Sequence, residues 1–419
     1  MAVGFLKLIR DTELSGFLYG LTPIAWFLTS LPAFAITAHQ PPDLRRWLLL
    51  PLNIIGPALC FLNAGRLTAG LDYLWAFTSI TYIFHAVSGL YLEDWRLPLP
   101  PAGNSHNTLA DNVRMAIKVW NNPRRLTIRR PDQMKPTTQR QRGLFTLRVV
   151  GLILLHWVAY LAFDFGAIYA LRPLPREFAT PTYFHFALDR AALLRAAYCL
   201  QWAWLTYFIL TVANAVCAIL FVSVLQVDAP DEWPPLWGNP LEIRSIRSFW
   251  GVFWHRIGSP SQLSCGKWLS RNVLGFGTGD TLEKVFLAFF VFTVSGSVHA
   301  MTNWISRETA PVEGLFGDMR FLLLNFVGGL VELCVERLVI RIYAAYSQTK
   351  DDTKDKNAKT RGKHISWVQR VFGMLWVFLF FYSVAPPWQY PYIEDDLRSR
   401  FFPFKMKVNL QRPRPSSAA

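Results

Sequence analysis

Apolar residues along this chain come in runs, not in the short periodic stripes of a soluble fold. Eight stretches stand out: Gly16–Ala38, Trp47–Leu62, Leu71–Leu92, Leu144–Leu171, Cys199–Leu225, Val285–Ile305, Phe321–Ile340 and Trp367–Ala385. A run of about 18 or more apolar residues matches the thickness of a bilayer core, so the pattern predicts an all-α polytopic bundle of about eight transmembrane helices. The third stretch is the most interrupted, with Asp72 at its start and His85 inside it. The seventh contains Glu332 and Glu336, which call for an inward-facing partner. Ala33-Phe34-Ala35 imitates a signal-cleavage site. The run around it is long for a leader and further spans follow, so it reads as an uncleaved anchor.

The polar connections set the topology. Arg114 to Arg148 holds ten Lys or Arg and a single acid, Asp132, and Tyr346–Ser366 holds six Lys or Arg with three Asp. Both are expected on the cytosolic side. An even number of spans lies between them, so the two assignments agree, and the loop Gln226–Lys284 is cytosolic by the same count. Lys350–Lys363 and the tail from Gln411 read as flexible. The chain thus divides into a first group of spans (1–225), a loop (226–284), a second group of spans that holds His299 (285–385) and a tail (386–419). The loop is unusual for a hydrophilic connector: Trp233, Trp237, Trp250, Trp254 and Trp268 lie in it among prolines and glycines. That composition predicts short helices on the membrane interface.

Composition agrees with this picture. Hydrophobic residues make up 52% of the chain and charged residues 17%, against about 25% charged in soluble domains. The net charge of +15 is accounted for by loop orientation. No zinc-finger, RNP or helix-turn-helix pattern points to nucleic acid. The five cysteines form no CxxC pair and read as buried small residues, not as a disulfide framework or metal site.

Two histidines attract attention. His299 ends Ser295-Gly296-Ser297-Val298-His299 inside the sixth stretch. An ionisable residue at membrane depth is a functional-site hypothesis, the bland alternative being a histidine tied to a neighbouring helix. His255 ends Ser248-Phe249-Trp250-Gly251-Val252-Phe253-Trp254-His255. If helical, this block places Arg247, Trp250 and Trp254 on one face, as a plain interfacial helix or as a lid over a reaction site.

Together with the preceding Trp233-Pro234-Pro235-Leu236-Trp237-Gly238-Asn239-Pro240, these blocks resemble, in the same order, the wax-synthase-like members of the membrane-bound O-acyltransferases. The resemblance spans about 226–306. His255 is a second catalytic candidate, with Trp250, Trp254, Asn239 and Ser295 as candidate substrate contacts, and the resemblance itself implies a catalytic His299. It also implies an endoplasmic-reticulum acetyltransferase that binds no tight cofactor or metal and uses acetyl-CoA as co-substrate. The acceptor would be a lipophilic alcohol of terpenoid or meroterpenoid type in secondary metabolism. The chemistry suits a histidine, since an alcohol attacks a thioester only as its proton is accepted. Ser295, Ser297 or Asn303 are candidate oxyanion donors.

Other motifs compete. His39-Gln40-Pro41-Pro42-Asp43 and His185-Phe186-Ala187-Leu188-Asp189 fit HxxxD, and Asp164-Phe165-Gly166 is present too. All three read as chance. Gly275-Phe276-Gly277-Thr278-Gly279 resembles a phosphate-cradling turn or a plain turn before a helix. Asp228 and Asp231 imitate the first acidic pair of membrane prenyltransferases, with Asp351 and Asp352 poorly placed for a second. A prenyltransferase and a non-enzymatic transporter therefore stand as alternatives.

Overall fold

The computed structural model describes residues 16–41, 43–64, 71–97, 109–129, 133, 136–180, 182–306, 312–348 and 367–401. The sequence-predicted linker Lys350–Lys363 and the tail from Gln411 lie outside them. The described residues are helical or irregular, with no strand among them. The longer helices are α1 (Gly16–His39), α2 (Leu50–Asn63), α3 (Leu71–Ala86), α4 (Leu109–Trp120), α5 (Gln139–Leu171) and α6 (Arg190–Ile219). They continue with α7 (Ser259–Asn272), α8 (Thr281–Ser306), α9 (Val312–Gln348), α10 (Trp367–Val384) and α11 (Pro386–Phe401).

All eight apolar stretches are helical. Among the described residues, five helices are long and apolar enough to cross a membrane: Arg46–Asn63, Gln139–Leu171, Arg190–Val224, Thr281–Ile305 and Trp367–Val384. The charges Asp318, Arg320, Glu332, Glu336 and Arg337 keep α9 from being a plain apolar span. Local chemistry starts the long helices. Thr138 and Gln141 form a reciprocal capping box at α5, and Asp189 caps α6 by accepting from Ala192 N at 3.0 Å. The α5 surface is open, with Leu147, Leu155 and Val158 more than half exposed, as expected of a helix that faces lipid.

Two aromatic cores organise the bundle. One gathers Trp26, Phe34, Tyr82, Leu90, Trp120 and Phe221. The other gathers Cys199, Phe249, Trp254, Phe321, Val377 and Phe381. Helix α3 packs on α8, and α8 on α9. These packings join the two cores along the helix that carries His299.

The tryptophan-rich loop is docked into the bundle around Ile246, Phe249 and Trp254. Ile246 is fully buried, and its N–H donates to Glu332 at 2.7 Å from α9. Arg247 N donates to the same carboxylate at 3.2 Å, its guanidinium pairs with Glu336, and Trp376 Nε1 donates to Glu332 at 2.7 Å. Glu332 thus has the inward-facing role expected of it, whereas Glu336 is exposed and pairs with Arg247 at the surface. Gly238 and Gly373 allow the close approach: an added Cβ would collide with the carbonyls of Val252 and Arg244 respectively.

Candidate functional site

Helix α8 presents His299 towards α3. Its Nδ1 lies 2.7 Å from Tyr73 Oη, and its ring centroid is 5.3 Å from Phe77 and 6.4 Å from Tyr73. Tyr73 and Phe77 sit four residues apart on α3, so one helical face holds the imidazole at two points. One turn beyond His299, Asn303 donates from Nδ2 to Asp318 Oδ2 at 2.7 Å and to Tyr392 Oη at 3.3 Å. Asp318 is buried and also accepts from Trp388 Nε1 at 2.8 Å and Tyr392 Oη at 3.1 Å. The carboxylate is thus held by three neutral donors, Asn303, Trp388 and Tyr392.

His255 comes to the same region from the docked loop. The expected helix does not run through it. A π-helical turn covers Phe249–Phe253, and Trp254 is already extended at φ −66°, ψ 148°. Consequently Arg247, Trp250 and Trp254 do not share a helical face. Trp254 is 7% exposed and contacts the rings of Trp202 at 5.5 Å and Trp237 at 5.0 Å, so it is a core residue and not a surface anchor. Trp250 is tied down through Nε1 to Asn325 Oδ1 at 3.0 Å. Trp237 stands perpendicular to His255 at 5.3 Å. His255 Nδ1 is shut off from solvent with no hydrogen-bond partner among the described residues. Burial first, and then the nearby charge of His299, push its pKa down to about 3. It is therefore a neutral imidazole at physiological pH.

A cavity of about 270 Å³ reaches this region, although neither histidine is among its lining residues. Phe77, in contact with His299, forms part of its wall, as does Ile257, two residues after His255. Indole, aliphatic and threonine groups line most of it, and Lys118, Asp228 and Glu232 gather at a polar end.

The remaining expectations resolve one by one. Asn239 is exposed, and its Oδ1 accepts from Leu241 N at 3.0 Å, which caps a short 3-10 turn. Ser297 donates to Thr293 O at 2.9 Å, and the Asn303 amide is held by Asp318 and Tyr392, so neither is a ready oxyanion donor. Ser295 makes no side-chain hydrogen bond among the described residues. In the glycine cluster, the Gly279 N–H is taken by Glu283, which argues against an anion cradle. His185 and Asp189 bond each other at 2.7 Å at the α6 cap, and His39 is exposed. Asp164 accepts from Gln201 at 2.8 Å and pairs with Arg400 at 3.0 Å. Asp228 pairs with Lys118 at 3.1 Å, whereas Asp231 pairs with Arg129 at 2.7 Å. Sequence reasoning missed Tyr73 and Asp318. The signal available for each was a polar residue at the edge of an apolar run, as in Leu71-Asp72-Tyr73 and Phe316-Gly317-Asp318.

Comparison with known proteins bears on the same region. The model of the membrane bound O-acyl transferase family matches residues 233–324, a segment that holds both His255 and His299. Acetyltransferase spyB of Aspergillus fumigatus is 27% identical over 177 residues, covering 42% of this chain and 28% of that protein. Acetyltransferase nanB of Aspergillus nanangensis is 28% identical over 191 residues, 45% of this chain and 42% of that one. Acetyltransferase atnC of Arthrinium sp is 30% identical over 171 residues, 41% and 35% respectively. The matched stretch thus spans less than half of each of these relatives. No solved structure matches the chain.

Proposed function

We propose that this all-α membrane protein is an O-acyltransferase that moves an acetyl group from acetyl-CoA to a hydroxyl of a lipophilic, terpenoid-type alcohol, with the endoplasmic reticulum as its place of action. The observation that carries the reading is His299. It is a histidine in a helix long and apolar enough to span a membrane, inside the matched family segment, within hydrogen-bond distance of Tyr73 at Nδ1 and in ring contact with Phe77, which lines a largely apolar cavity.

The step follows from the geometry. In the tautomer that acts as a base, Nδ1–H donates to Tyr73 Oη and Nε2 keeps its lone pair for the alcohol. As Nε2 accepts the hydroxyl proton, the oxygen bonds to the thioester carbonyl carbon. The tetrahedral intermediate then collapses, the carbon–sulfur bond breaks, and the proton passes from Nε2 to the departing thiolate. His255, neutral and lacking a partner at Nδ1, is the nearby group best suited to orient the reacting carbonyl or the alcohol. Asp318 favours the transient positive charge on His299.

The prenyltransferase alternative fits less well, because Asp228 and Asp231 are each held by a different cation. The test is to supply membranes containing the protein with radiolabelled acetyl-CoA and a panel of terpenoid alcohols. Labelled ester is the expected product. Formation of a prenyl ether or carbon–carbon product from a prenyl diphosphate, dependent on magnesium, would replace this reading with the alternative.

A further inference from the structure

The cavity beside His299 has a wall that no role above uses. Leu210, Ala213, Asn214 and Cys217 all line it from α6. Their spacing of three, four and seven residues makes them one stripe of that helix. Asn214 is the exception in an apolar stripe, and its amide has no hydrogen-bond partner among the described residues. A polar side chain inside a span is costly and calls for a partner. Across the cavity, His85 is 1% exposed, and its Nδ1 also lacks a partner among the described residues. The cavity therefore offers uncharged hydrogen-bonding groups deep in apolar surroundings.

Its charged groups offer little to an anion. Lys118 lies 3.1 Å from Asp228 and 2.6 Å from Glu232. Arg124 donates to the carbonyls of Pro234 and Pro235 at 3.0 and 2.7 Å. Two cations and two carboxylates leave the polar end with no excess charge. A nucleotide thioester with several phosphate charges would meet there the carboxylates of Asp228 and Glu232 with no surplus of cations to offset them. The volume of about 270 Å³ lies at the small end of ligand pockets, suited to a compact molecule and not to an extended nucleotide.

We infer that this cavity seats the acceptor and not the acyl donor, and that its occupant is a compact, electrically neutral alcohol carrying a second oxygen that hydrogen-bonds to Asn214. The amide of Asn214 then selects among alcohols of similar size, while the Phe77 side of the cavity holds the reacting hydroxyl towards His299. This inference rests on the acyltransferase reading.

The test uses the full chain in membranes with farnesol and hydroxylated sesquiterpenoids as probe acceptors. Asn214→Leu keeps volume and removes the hydrogen bond. It should raise KM for a dihydroxy sesquiterpenoid roughly tenfold, with little change for farnesol, which has a single oxygen. KM for acetyl-CoA should not move. A rise confined to acetyl-CoA would overturn the inference. A second readout does not depend on turnover. In a variant that retains Cys217 alone among the cysteines, the dihydroxy probe should slow labelling by a membrane-permeant thiol reagent, and acetyl-CoA should not. Protection by acetyl-CoA with none by the alcohol would assign the cavity to the donor. Protection by the alcohol without any acetyl transfer would keep the neutral-ligand site and sink the catalytic reading instead.

Discussion

His299 is held by the phenol of Tyr73 and the ring of Phe77. Its Nδ1 sits 2.7 Å from Tyr73 Oη, so the hydroxyl helps to orient the ring. Alanine at His299 removes the base and should lower acetyl transfer by a factor of about 10²–10⁴, with the extracted yield preserved. Tyr73→Phe removes only the hydrogen bond and should lower turnover roughly tenfold, with KM for either substrate little changed. Both follow from initial rates normalised to purified protein, and full turnover in His299→Ala would end the proposed mechanism. His156 is the suitable control, since it makes ring contacts with Trp204 and Tyr207 well outside the matched segment. His85 is a poor control because it stacks on Phe34 and bonds Val119 O, so its loss should lower yield. His255 carries a pH signature. Its folded pKa of about 3 lies below the ordinary value near 6.5, so the unfolded chain binds the extra proton. The stabilising effect of pH is complete above about 6.5 and is lost as pH falls towards 3. His255→Asn should therefore lose less thermal stability than the wild type between about pH 7 and pH 5, as read by unfolding in detergent.

At the scale of elements, the stretch of the loop around Ile246, Phe249 and Trp254 behaves as a core segment. Glu332 accepts from Ile246 N, Arg247 N and Trp376 Nε1, and thereby ties the loop, α9 and α10 together. Glu332→Ala would leave these donors unsatisfied, at about 1–3 kcal/mol for each that stays buried. The expected result is a lower unfolding temperature and a loss of activity, although the residue touches neither histidine. Trp254→Ala removes a buried indole from the Trp202–Trp237–Phe249 cluster and should cost about 3–5 kcal/mol, so yield and activity should fall together. The apolar helices were readable from the sequence because length and hydropathy alone define them. The loop's composition was readable as well, but its docking was not. That docking depends on an acid eighty-six positions away in sequence and on glycine contacts that leave no local periodicity. The same reason separates His299, whose place in a Ser-Gly-x-x-His block was legible, from Tyr73, which reaches it across a sequence separation of 226 residues.

For the whole molecule, the decisive relation is between the basic segment and the tryptophan-rich loop. The charge bias leads to the expectation that Arg114–Arg148 is cytosolic, while the loop is close to neutral and carries no such signal of its own. The fold supplies the missing link. Arg124 bonds the carbonyls of Pro234 and Pro235, Arg129 pairs with Asp231, and Arg142 bonds Asp228 O at 3.0 Å. The two segments therefore lie on one side, joined through the antiparallel pair α5 and α6. The connection between those helices, with Phe186 exposed, must then lie on the other side. Single cysteines in a cysteine-free background test this in sealed microsomes with an impermeant maleimide. Thr127→Cys and Leu241→Cys, both at exposed positions, should label without detergent, and Phe186→Cys only after permeabilisation. Arg124, Arg129 and Arg142 are tied to the loop, so protease should cut their segment slowly from either side, which makes labelling the sounder measurement. Labelling of Thr127→Cys and Leu241→Cys from opposite sides would break the link between the basic segment and the catalytic loop. It would also remove the reason to expect acetyl-CoA to approach His255 and His299 from the cytosol.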